Sequence, residues 1–215
     1  MFSTHAVTAW YFWHLVTRLG EAQLVLPLAL AIAASRARDP QARPGAFRWI
    51  ALLVAAMLVT AVSKVAFIGW GIGSAALNFT GISGHTMFAA ALYPPLLWAI
   101  ASGTTARAQR LAIVAGSVLA LLVGVSRVVL GAHSVSEVLA GWLAGGLVAL
   151  GILGTGIPIP ARLNVAMIAL AVLWITLMPA TAPTLNTHSL VTRVALKLSG
   201  HQRPYTRHAL LNGNA

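Results

Sequence analysis

The chain has no cysteine among its 215 residues. That excludes disulfides, thiol catalysis and thiolate metal sites. Acidic side chains are almost absent too: Glu21, Asp39 and Glu137 are the only three. Charged residues make up 8% of the sequence and hydrophobic ones 59%, with a mean hydropathy of +0.84. An ordinary soluble domain carries roughly 25% charged residues, so the balance points to one polytopic helical membrane domain. The net charge of +11 is not a nucleic-acid signal, because the basic residues are scattered between apolar runs with no basic and aromatic stripe. It suits anionic lipid headgroups instead. The N-terminus, MFSTHAVTAWYFWHLV, has no basic stretch before its apolar part and does not resemble a cleaved signal peptide. No internal repeat is present.

What is present is a series of apolar runs of spanning length. Residues 6–17 are apolar and aromatic, and with the polar residues up to 21 they read as an N-terminal interfacial helix over 1–21. Spans are expected at 22–34, 49–68, 86–102, 111–125, 134–153 and 163–178, about six in all, forming a transmembrane domain over 22–178. Pro94-Pro95 should kink the third. Residues 179–215 form a basic tail. The loops 35–48, 103–110 and 154–162 hold seven arginines and one acid, which places them in the cytoplasm by the positive-inside rule. The loops 69–85 and 126–133 then lie on the outer side, as do both termini. The tail fits that rule poorly, since it carries Arg193, Lys197, Arg203 and Arg207.

The densest polar cluster is SRVVLGAHSVSE, which holds Ser126, Arg127, His133 and Glu137 between two apolar runs. Ionisable residues at membrane depth are costly and mark function. His133 and Glu137 share one face if a helix opens there. The carboxylate can then fix the imidazole tautomer and leave the other ring nitrogen as nucleophile or base. The plainer reading of such a pair is a helix cap. Ser83-Gly84-His85 precedes the apolar run from Thr86; a Ser-Gly turn into a helix offers backbone N–H groups and positive potential to an oxyanion, and His85 can act as general acid. Lys64 and Arg127 would supply two cations to a phosphate. Lys64, the 82–85 stretch and the 126–137 cluster all fall on the same predicted side. Two histidines and a glutamate can bind zinc, but no HExxH-type spacing occurs, so no metal and no cofactor are expected.

These residues resemble the type 2 phosphatidic acid phosphatase (PAP2) superfamily of membrane lipid phosphatases, whose active site is shared with vanadium haloperoxidases. That family's pattern is a lysine followed after six residues by Arg-Pro, then Pro-Ser-Gly-His, then Ser-Arg, five residues, His, three residues, Asp. Here Ser126, Arg127 and His133 match the third motif, with Glu137 in place of Asp. Ser83-Gly84-His85 match the second, with Ile82 in place of Pro. Lys64 begins the first, but Gly71-Ile72 stand at the Arg-Pro positions. The resemblance implies an all-α membrane bundle and a metal-independent reaction: His133 attacks phosphorus, Glu137 orients it, His85 protonates the leaving oxygen, and Lys64, Arg127, Ser83 and Gly84 hold the phosphoryl oxygens.

The expected function is therefore hydrolysis of a lipid phosphate or pyrophosphate on the periplasmic face of a bacterial inner membrane. Undecaprenyl pyrophosphate, lipid A and phosphatidylglycerophosphate are the substrate classes the family implies. Phosphotransfer through the same histidine, or lipid binding or transport without turnover, are the alternatives. The partner is a phospholipid or isoprenoid lipid phosphate rather than nucleic acid; the sequence does not speak to oligomeric state. The missing arginine at Gly71 raises one further expectation: that residues 186–198 form an amphipathic helix bringing Arg203 or Arg207 back over the site.

Overall fold

The computed structural model describes residues 4–154 and 187–213, together with Ala169. Its described residues form eight helices: α1 (Thr4–Arg18), α2 (Ala22–Ala37), α3 (Arg43–Trp70), α4 (Gly84–Ile100), α5 (Ala106–Val129), α6 (Val135–Leu153), α7 (Thr187–Ser199) and α8 (Arg207–Leu211). Among the described residues, four stretches are long and apolar enough to cross a membrane: Trp10–Ala37, Arg43–Trp70, Ala106–Val129 and Val135–Leu153. The first includes the α1–α2 turn. The span expected at 163–178 lies outside the described residues.

α3 and α5 overrun the apolar runs that announce them at both ends. The run 49–68 sits inside α3, whose start is set by Pro44 in the first turn and whose end is set by Gly71 in the left-handed conformation (φ 68°). The run 111–125 sits inside α5, so Ser126 and Arg127 belong to its last turn and the loop expected from 126 begins only at 130. Inward-facing polar residues lower the apparent hydropathy of a helix end without ending the helix. α4 likewise continues through Pro94 and Pro95.

α4 is the central helix, buried from Thr86 to Leu96 apart from Phe88, as its all-round apolar sequence requires. Its neighbours approach through small residues. Gly141 and Gly145 of α6, spaced four apart, face Ser83 and Met87 of α4 so closely that a Cβ at either would run into the α4 backbone. This is the small-residue packing that lets membrane helices meet. Gly116 of α5 does the same against Tyr93 and Pro94. At the end away from the site, Arg48 donates to the Gly151 carbonyl at 2.8 Å and 3.1 Å, and the Arg36 guanidinium lies 5.8 Å from the Trp98 ring centre.

The other end carries the C-terminus of α3, the N-termini of α4 and α6 and the C-terminus of α5. α7 docks on α3, with Ala195 and Val191 packed beside Phe67 and Ile68, while Leu190, Val194 and Leu198 face outward. Beyond α7 the chain doubles back along the end of α3 as a strap.

Candidate active site

The strand-like turn Ser74–Phe79, closed by its own backbone pairs, leads into the segment 80–83 that lies over α3. Gly81, at φ 141°, rests on Lys64; a side chain there would come within 2.9 Å of Lys64 Cγ. Ser83 then begins α4 without a side-chain cap. Its hydroxyl pairs with Thr86 at 3.0 Å, and its N–H donates to the Glu137 carbonyl at 3.1 Å. The backbone donors left open at this helix start are therefore those after Ser83, from Gly84 onward.

The α5–α6 turn is fixed by α5 itself: the N–H groups of Ala132 and His133 both donate to the Arg127 carbonyl, at 3.0 Å and 3.1 Å. Ser134 starts α6 with a capping box, its hydroxyl facing the Glu137 N–H and its own N–H donating to Glu137 Oε2 at 3.1 Å. His133 Nδ1 lies 2.6 Å from the same Oε2. The helix cap and the oriented histidine are thus one arrangement, not competing ones. With Nδ1–H donated to the carboxylate, Nε2 keeps its lone pair.

Glu137 is fully buried and receives more than His133. Thr80 donates to Oε1 from both its N–H and its hydroxyl, each at 2.6 Å. Arg207 of α8 donates to Oε2 at 2.7 Å. A buried carboxylate is tolerable only when so compensated. Burial pushes the His133 imidazole below its ordinary value, the Glu137 hydrogen bond pulls it back up, and the charges of Lys64 and Arg127 lower it again.

Lys64, His85, Arg127, His133 and Glu137 lie at this one end, close enough for their charges to act on one another. Arg127 NH1 donates to Thr17 of α1 at 2.8 Å, while its buried Nε has no partner among the described residues. The α1–α2 turn is held against the site by Gly20, where a Cβ would sit 2.7 Å from the His85 carbonyl. Arg203, the other tail arginine expected over the site, is exposed. The Ser134-x-x-Glu137 spacing is a readable capping signal; Thr17 and Thr80 carry no sequence signal.

The chemistry available is a nucleophilic imidazole with its tautomer fixed, a second histidine, two cations and an open helix start. No solved structure matches this chain. A Klebsiella pneumoniae protein described as "Uncharacterized 22.5 kDa protein in cps region" is 32% identical over 199 residues, covering 91% of this chain and 95% of that one. The model of the PAP2 superfamily matches residues 49–156, a stretch that runs through α3–α6 and contains Lys64, Ser83, Gly84, His85, Arg127, His133 and Glu137. The chain belongs to the PAP2 superfamily.

Proposed function

We propose that this chain is an integral-membrane lipid phosphatase that works through a phosphohistidine on the periplasmic face of a bacterial inner membrane. Membership of the PAP2 superfamily supports a phosphatase-like, lipid-related function. The observation that carries the finer reading is the 2.6 Å contact of His133 Nδ1 with Glu137, which leaves Nε2 as the nucleophile beside Lys64 and Arg127. Nε2 attacks phosphorus and the bond from phosphorus to the lipid-side oxygen breaks. That oxygen leaves with a proton from His85. Water then attacks the phosphohistidine and gives its proton back to His85, the phosphorus–nitrogen bond breaks, and phosphate departs. Lys64, Arg127 and the N–H groups from Gly84 onward stabilise the charge on the phosphoryl oxygens. Preorganised positive groups of this kind supply most of the acceleration such a slow hydrolysis needs. The orientation rests on the arginine-rich loops at the opposite end of the bundle.

The test is phosphate release by purified protein in EDTA from undecaprenyl pyrophosphate, phosphatidic acid, phosphatidylglycerophosphate and lipid A, with His133→Ala as control. Release from at least one lipid, lost in the variant, is expected. EDTA-sensitive release would replace the phosphohistidine by a metal. No release from any lipid would favour a lipid-binding role without turnover, and phosphate passed to a lipid acceptor would favour phosphotransfer.

A further inference from the structure

We propose that the C-terminal strap is a built part of this active site, with Arg207 positioning Glu137 and, through it, the His133 ring. The proposal rests on the phosphatase reading above and concerns residues outside the 49–156 family match.

The strap is anchored at successive points along the end of α3. Gly69 admits the Ala195 carbonyl and the Ser199 side chain so closely that a Cβ would meet them at 3.2 Å and 3.3 Å. His201 Nδ1 lies 2.7 Å from the Gly69 carbonyl, and the Tyr205 N–H donates to the Ile68 carbonyl at 3.0 Å. The Thr206 hydroxyl then accepts from Ala209 to start α8. This delivers Arg207 to three acceptors from two elements. Its NH2 reaches Glu137 Oε2 at 2.7 Å and Thr80 Oγ1 at 3.2 Å; its NH1 reaches Asn78 Oδ1 at 3.3 Å. Among the described residues it is the Lys or Arg side chain in direct ion-pair contact with Glu137.

Two of the departures from the family's pattern, Gly71 and Glu137, meet at this strap. Gly71, where the family places arginine, has φ 68° and lies under the Tyr205 ring, which a Cβ at 71 would meet at 3.0 Å. An arginine there would be strained at this φ and would press its Cβ against the Tyr205 ring of the strap. Glu137, one methylene longer than the usual aspartate, takes both His133 and Arg207 on its Oε2. So the chain that lacks a cation at 71 gains one at 207, but its charge acts on the orienting carboxylate rather than on phosphate.

His133 is faced by Lys64 from α3, His85 from α4, Arg127 from α5 and Glu137 from α6; Arg207 reaches it only through Glu137. Removing Arg207 leaves more of the carboxylate's negative charge to stabilise the imidazolium. In the full-length protein, Arg207→Gln should raise the His133 titration midpoint, read by NMR of the ring without substrate, by about one pH unit. It should lower kcat about 10²-fold through misorientation and leave KM near wild type, with Arg207→Lys recovering part of both. Gly71→Arg should expel Tyr205, expose the strap to trypsin and lower activity, although it restores the family's residue. An unshifted titration with unchanged kcat in Arg207→Gln would overturn the proposal. So would a rise in KM alone, which would make Arg207 a substrate contact, or a Gly71→Arg protein as active as wild type. If Arg207→Gln does not fold, Arg207→Lys and Gly71→Arg still decide. The ring titration needs no turnover. A shifted ring in a protein that hydrolyses no lipid removes the phosphatase reading and keeps the coupling, while turnover without a shift does the reverse.

Discussion

The middle of the bundle and its site end are held together by different means. In the middle, α4 meets α6 at Gly145 and α5 at Gly116, and what matters is the absence of a side chain: a Cβ at either would enter the backbone of α4. At the site end, what matters is the identity of the side chain. Glu137 takes hydrogen bonds from Thr80, His133, Ser134 and Arg207, which come from three separate places in the chain. Packing by small residues is a local rule that many sequences satisfy. A buried carboxylate with a full set of donors is one arrangement that few satisfy, so the site end is where single substitutions should reach chemistry and the middle is where they should reach stability.

The largest break in that comparison should come from Glu137→Gln. The amide keeps the shape but loses the charge, and its NH2 faces groups that themselves donate. A kcat loss of about 10³-fold or more is expected, as when a tautomer-fixing carboxylate is neutralised, with the helical circular dichroism unchanged. The pH profile sharpens the assignment. Burial already lowers His133 from its ordinary value of 6.5 while Glu137 pulls it up. The neutral, nucleophilic ring therefore persists below that value in the wild type, and the acid limb of the profile should lie there. Without the Glu137 charge the limb should move lower still, opposite in sign to the shift expected for Arg207→Gln. A Glu137→Gln enzyme with wild-type turnover would show that His133 needs no orienting partner.

The difference between the two regions also governs what the sequence makes legible. Apolar runs locate α3, α5 and α6, though α5 extends past the end of its run because the polar Ser126 faces inward. The motif residues Lys64, His85, Arg127, His133 and Glu137 are recognisable because each lies in a short pattern with fixed spacing. Thr80 and Thr17 are not, because a threonine that donates to Glu137 or accepts from Arg127 looks like any other until the chain folds. Arg207 stands between these cases: the gap at Gly71 calls for a compensating cation, and the basic tail offers several. Only the fold selects Arg207 over the exposed Arg203, by pinning Tyr205 to α3.

A substitution in the middle should behave in the opposite way to Glu137→Gln. Gly145→Val places a branched side chain against Met87 and Ala90. Overpacking of this sort costs about 1–3 kcal/mol, and the close backbone contact puts it at the upper end. The melting temperature in detergent should fall by several degrees, while turnover per folded molecule stays within twofold of wild type. A protein that melts normally but turns over slowly would mean that α4–α6 packing tunes the Ser83–His85 turn directly, and the division between packing and chemistry would fail.

The smallest effect should come from Thr17→Val, which tests whether the N-terminal helix belongs to the site at all. Thr17 is buried and accepts from Arg127 NH1 at 2.8 Å, and like Arg207 it lies outside the 49–156 family match. Valine keeps the volume and removes the acceptor. A hydrogen bond of this kind is worth about 1 kcal/mol net, roughly a fivefold change. Arg127 is assigned to phosphate both before and during the reaction, so the loss should fall mainly on KM with kcat nearly unchanged. Glu137, by contrast, is proposed to act on the nucleophile, and its removal should fall on kcat. If Thr17→Val lowered kcat as Glu137→Gln does, Arg127 would be acting chiefly in the transition state. The α1–α2 turn, held against His85 by Gly20, would then count among the parts that set the rate, not merely among those that close the site.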